Sequence, residues 1–69
     1  MNWDRVEGNW KQFKGNVKER WGRITDDELE AIAGKRDQLL GKIQATYGIG
    51  KGMAEKQIAE WQGKQTGGK

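Results

Sequence analysis

Apolar residues recur at Trp3, Val6, Trp10, Phe13, Val17 and Trp21 along the first third of the chain. The steps between them alternate between three and four residues, which is the helical period and not the alternation of a strand. At ~100° per residue these six positions share a stripe roughly 80° wide. Leu29, Ile32, Leu39, Ile43 and Tyr47 repeat the stripe, and Leu40 widens it. A third apolar face, Met53, Ala54, Ile58 and Trp61, predicts a helix from about Lys51 to Gln62. The pattern predicts an all-α fold, a small bundle of about three to five helices. Its predicted core is Trp3, Val6, Trp10, Phe13, Val17, Trp21, Leu29, Ile32, Leu39, Ile43, Tyr47, Ile58 and Trp61.

The two stripes belong to one motif written twice, at an offset of 26 residues. Gly8, Gln12, Gly15 and Gly22 return as Gly34, Gln38, Gly41 and Gly48, so residues 3–22 and 29–48 correspond without a gap. Trp10 breaks the match, because its counterpart is Arg36. Gly8, Gly15, Gly34 and Gly41 fall roughly opposite the apolar stripe. Each costs about 1 kcal/mol relative to Ala inside a helix, so a break is expected near Gly8 or Gly34. Two roles fit these glycines, a solvent-facing surface or a close approach between helices.

Segment ends have their own signals. Gly22 and Gly48 follow Trp21 and Tyr47 as terminating residues should. Thr25-Asp26-Asp27-Glu28 reads as a capping box, with its acids at the positive end of the helix dipole. Residues 1–62 are thus expected to form a single helical domain. The tail, Gly-Lys-Gln-Thr-Gly-Gly-Lys over residues 63–69, has nothing to bury and is expected to be disordered.

Composition limits the core and the chemistry. A chain of 69 residues with 33% hydrophobic content depends on a few large rings, here four tryptophans. There is no Cys and no His, which removes disulfides, thiolate metal sites and the commonest general base. No apolar run approaches the ~20 residues of a membrane span, and no apolar leader precedes the first helix, so a cytoplasmic protein is expected. The net charge of +3 is mild but uneven. Residues 1–24 and 48–69 are basic on balance, and residues 25–47 are acidic.

The clustered acids Asp26, Asp27, Glu28 and Glu30 are explained by the helix start they occupy, and no nucleotide-binding or nucleophile motif is present. The expectation is therefore no catalytic residue, no metal, no cofactor and no small-molecule substrate. Gly48-Ile49-Gly50-Lys51 resembles the turn of helix-hairpin-helix modules, in which backbone N–H groups approach a phosphate. Gly48, Gly50 and Lys51 are the candidate phosphate-binding residues, against the plainer role of a helix–helix turn. The counterpart turn, Gly22-Arg23-Ile24-Thr25, leads into three acids that would repel phosphate. Lys11, Lys14 and Lys18 form a second candidate basic patch, or simply a solvated face.

Trp10-Lys11-Gln12-Phe13-Lys14-Gly15-Asn16-Val17-Lys18-Glu19 with Trp21-Gly22 resembles the first signature of the CsbD-like proteins. Thr25-Asp26-Asp27, Gly34-Lys35-Arg36-Asp37-Gln38-Leu39 and Gly41-Lys42-Ile43-Gln44 resemble the second, and Tyr47-Gly48 and Trp61 fall where that family has them. The resemblance extends to about residue 62. It departs at Gly50-Lys51-Gly52, where the family often has a capping residue and acids, so the last helix is expected to start less firmly. The resemblance implies two packed helical hairpins, a bacterial stress-response role in the cytoplasm and no active-site residues. Eleven glycines and a mean hydropathy of −1.06 resemble hydrophilin-like desiccation proteins. The function expected is that of a non-enzymatic stress-response protein acting as a hydrophilic protectant. Weak binding to a nucleic-acid backbone is the alternative, and no other partner is indicated.

Overall fold

The computed structural model describes residues 3–67, which form five helices and no strand. In chain order these are α1 (Trp3–Gly8), α2 (Trp10–Arg20), α3 (Asp26–Ile32), α4 (Arg36–Tyr47) and α5 (Lys51–Gly67). Consecutive helices pack against one another from α1 through α5. The radius of gyration is 11.1 Å, close to the ~11 Å expected of a native chain of this length. Residues 63–67, expected to be disordered, continue α5 as helix, and residues 68–69 lie outside the described residues. No Pro interrupts those residues, so a helix already nucleated upstream propagates through them despite Gly63.

The helices break near both Gly8 and Gly34, in different ways. After Gly8 the interruption is Asn9 alone. Its backbone N–H and its side-chain Nδ2 both donate to the Arg5 carbonyl, at 3.1 and 3.0 Å. The Asn9 carbonyl then accepts from Gln12 and Phe13, so α2 begins at once. Between α3 and α4 the chain spends three residues. Ala33 (φ 53°) and Gly34 (φ 81°) are both left-handed, and Lys35 donates back to the Ile32 carbonyl at 3.0 Å. A Cβ built on Gly34 would stand 2.7 Å from the Glu7 Cα. Close approach is therefore the role of Gly34. Gly8, Gly15 and Gly41 face open space.

The core gathers one stripe from each copy and one from α5. Val6, Trp10, Val17, Trp21, Leu29, Ile32, Leu39, Leu40, Ile43, Ala54, Ile58 and Trp61 are buried, and Trp3, Phe13 and Tyr47 are half-buried against them. Met53 does not join this face. It is 53% exposed, because its position at the start of α5 turns it away from Ala54 and Ile58. Ile24, absent from the predicted core, is fully buried. It precedes the cap of α3, where an apolar residue staples to one five positions on, here the buried Leu29.

The indole rings also provide polar ties. Trp3 Nε1 donates to the Gly34 carbonyl at 2.6 Å, Trp10 Nε1 to the Leu29 carbonyl at 2.9 Å, and Trp21 Nε1 to Gln57 Oε1 at 2.9 Å. The first copy is thereby tied to the second at two points and to α5 at one. Trp61 sits among Trp3, Phe13 and Trp21, with ring centroids 5.8, 6.0 and 6.1 Å away and tilted or edge-on geometry. Its own buried indole N–H has no partner among the described residues.

Candidate functional site

The Gly48–Lys51 turn is built from the end of α4. Gly48 (φ 65°) is left-handed and donates its N–H to the Gln44 carbonyl at 2.9 Å. Ile49 turns inward and packs on the core. The Gly50 carbonyl accepts the first intrahelical bond of α5 from Ala54, at 3.0 Å, and Lys51 is exposed. Tyr47 Oη accepts from the Arg23 backbone N–H at 3.1 Å, so the α2–α3 turn lies against the base of the α4–α5 turn. The structure thus places both turns at one end of the bundle. They are not alike in backbone. Gly22, expected to end α2 as Gly48 ends α4, is not left-handed, and the residue that caps α2 is Trp21 (φ −124°).

The second basic patch is dispersed. Lys14 pairs with Glu30, and Lys18 approaches Asp26 at 3.6 Å. Two of its three lysines therefore face acids of α3, and Lys11 is exposed. These pairs explain the uneven charge along the chain: a basic α2 lies beside an acidic α3. Lys35–Glu7 and Lys42–Glu28, each at 3.4 Å, join further elements in the same manner. All are surface pairs, worth ~0–1 kcal/mol apiece.

Within the acidic cluster, Glu28 closes a helix cap while Asp26 and Glu30 face lysines of α2. Thr25 Oγ1 accepts from the Glu28 N–H at 3.1 Å, and Glu28 Oε1 accepts from the Thr25 N–H at 2.9 Å. That backbone N–H, with the nearby Thr25 hydroxyl and Lys42, holds the Glu28 carboxyl below its ordinary pKa. Among the described residues no group of three or more acidic side chains converges as metal ligands. No described helix is long and apolar enough to cross a membrane.

One concavity escaped the sequence. Asn16, Glu19, Arg20, Trp61 and Lys64 line an open depression of about 230 Å³. Positions 16, 19 and 20 share a face of α2, and 61 and 64 share one of α5, so helical spacing supplies each half. Their pairing across elements has no local signal. The guanidinium of Arg20 lies 5.3 Å from the Trp21 ring centroid, which occupies one of the two cations of this depression.

Residues 4–56 match the model of the CsbD-like family. The UPF0337 protein YjbJ of Escherichia coli is 60% identical over 62 residues, covering 90% of each chain. YjbJ of Salmonella typhimurium is 58% identical over 62 residues, covering 90% of this chain and 89% of its own. A UPF0337 protein of Rhodopseudomonas palustris is 61% identical over 61 residues, covering 88% of this chain and 92% of its own.

Proposed function

The chain belongs to the CsbD-like family, and on that premise we propose that it is a cytoplasmic, non-enzymatic stress-response protein that protects other macromolecules through its hydrated surface. The observation that carries this is the distribution of side chains. The apolar stripes of the helices turn inward, and the described surface is left mainly to charged groups, amides, glycines and alanines. Met53 is the one large hydrophobic exposed among the described residues. Asp26, Glu28 and Glu30 are engaged in a cap and in ion pairs rather than converging on a substrate. A surface of this kind supports many weak, water-mediated contacts in place of one strong one.

A heat-labile client enzyme, dried or heated with the protein at increasing ratios, tests this. Residual client activity should rise above that given by an equal mass of an inert globular protein, and should not depend steeply on salt. No gain over the inert control sinks the proposal.

The alternative, weak binding to a nucleic-acid backbone, is favoured by one observation. The α2–α3 and α4–α5 turns meet through Arg23 and Tyr47, and Lys51 stands exposed beside them. Titration of the intrinsic Trp fluorescence with duplex DNA separates the two functions. Phosphate contacts weaken on a defined log–log slope with salt, and Lys51→Glu should abolish them. Absence of binding at low salt removes this alternative.

A further inference from the structure

The starts of α3 and α5 follow one plan at an offset of 25 residues. Ile24, Thr25, Glu28 and Leu29 correspond to Ile49, Gly50, Met53 and Ala54. In both, the capping residue's carbonyl accepts from the residue four on, Leu29 to Thr25 at 2.9 Å and Ala54 to Gly50 at 3.0 Å. In both, the preceding isoleucine turns toward the core. The difference is polar. At α3 the third helical residue, Glu28, returns an oxygen to the backbone N–H of Thr25 at 2.9 Å. At α5 that place belongs to Met53, which has no oxygen to return, and the Gly50 cap has no side chain. The first N–H groups of a helix lack intrahelical partners, and at α5 no side chain among the described residues supplies one.

Met53 is also the described residue most open to an oxidant. It is 53% exposed, and the chain contains no cysteine to compete for one. We propose that Met53 is a reversible oxidation site whose sulfoxide completes the cap of α5. Hydrogen peroxide supplies the oxygen. The thioether sulfur attacks one peroxide oxygen, an S–O bond forms and the O–O bond breaks. The sulfur loses two electrons, and the departing hydroxide takes up the remaining proton to leave as water. The sulfoxide oxygen is four bonds from Cα, as a Glu Oε is. It therefore stands where Glu28 places its acceptor at α3, within reach of the Gly50 N–H. Oxidation of a buried methionine disrupts packing. At this exposed position it adds an acceptor where the helix lacks one, and a methionine sulfoxide reductase restores the thioether.

The test uses the full chain and hydrogen peroxide. Peptide mapping by mass spectrometry distinguishes Met53 from Met1, the other thioether. Met53 should gain one oxygen at a rate within about threefold of the denaturant-unfolded chain, since susceptibility follows exposure. Amide exchange at Gly50 should then slow about three- to fivefold, the range of a gained cap, while the melting temperature holds or rises. Met53→Gln, which carries an oxygen at the same bond distance, should slow the same amide without peroxide. Met53→Leu should leave it insensitive to peroxide. Protection of Met53 by more than about tenfold relative to the unfolded chain overturns the oxidation site. An unchanged Gly50 amide in both the oxidised protein and Met53→Gln, or a fall in melting temperature on oxidation that Met53→Leu prevents, overturns the cap.

Discussion

Residues 3–22 and 29–48 place apolar side chains at the same spacing, yet the first copy is interrupted by Asn9 alone and the second by Ala33, Gly34 and Lys35. At the corresponding glycines, Gly8 faces open space, whereas Gly34 is left-handed and lies against the Glu7 backbone. Trp10 adds a second asymmetry. It has no aromatic counterpart, because the matching residue is Arg36, and its indole N–H is spent on the Leu29 carbonyl of the other copy. The periodic positions thus make the two copies alike inside. Trp10, which breaks the repeat, docks one copy on the other together with Trp3.

The largest effect should appear at that broken position. Trp10→Ala should destabilise the fold by ~3–5 kcal/mol, as large-to-small core changes do, while Arg36→Ala at the equivalent site should stay within ~0.5 kcal/mol. Urea titration of both variants measures the difference, and a loss under ~1 kcal/mol for Trp10→Ala would show that the indole does not join the copies as described.

Next comes the glycine pair. Gly34→Ala should cost ~1–3 kcal/mol, from a left-handed backbone and from the 2.7 Å approach to the Glu7 Cα. Gly8→Ala has neither obstacle and should be neutral or stabilising by up to ~1 kcal/mol. Equal melting temperatures for the two variants would erase the distinction between the breaks.

The smallest effect concerns the capping box that the start of α3 has and the start of α5 lacks. The folded-state pKa of Glu28 is depressed. Its contribution is therefore present above the unfolded carboxylate pKa and is lost as the pH falls through the folded value. Glu28→Gln should flatten that acid limb of the stability profile, measured by denaturant titration at stepped pH. The corresponding start at Gly50 should contribute no such limb. An acid limb of the same slope in Glu28→Gln would assign it to other carboxylates.

Much of this was legible from spacing. Helical period located the stripes, and the Thr25–Glu28 capping box forms as its residues predict, because each of its contacts is between residues three apart. What escaped depends on partners distant in sequence. Gly34 carries no mark that distinguishes it from Gly8 until Glu7 is brought beside it. Lys14 and Lys18 look like a free basic face until α3 supplies Glu30 and Asp26. Met53 has the right apolarity for the α5 stripe but stands about 100° from Ala54 on the helix, and the neighbouring elements decide which side of that arc is covered. Ile24 had a local signal, the staple position before a cap, which helical periodicity alone does not register. The two cations and one acid around the depression near Trp61 are similarly split between α2 and α5.

The indole ties between the copies both end on main-chain oxygens, those of Gly34 and Leu29. A carbonyl is common to all residue types. The first copy therefore recognises the course of the second copy's chain rather than its side chains. The bonds are asymmetric as a result: a donor ring cannot be exchanged for another residue without loss of its bond, whereas the bond asks nothing of the acceptor's side chain, which is fixed instead by the tight turn at Gly34 and by the core at Leu29. In a library recombining the two copies, the indoles would act as fixed inputs, and their bonds would survive any partner segment that preserves the backbone course around Leu29 and Gly34.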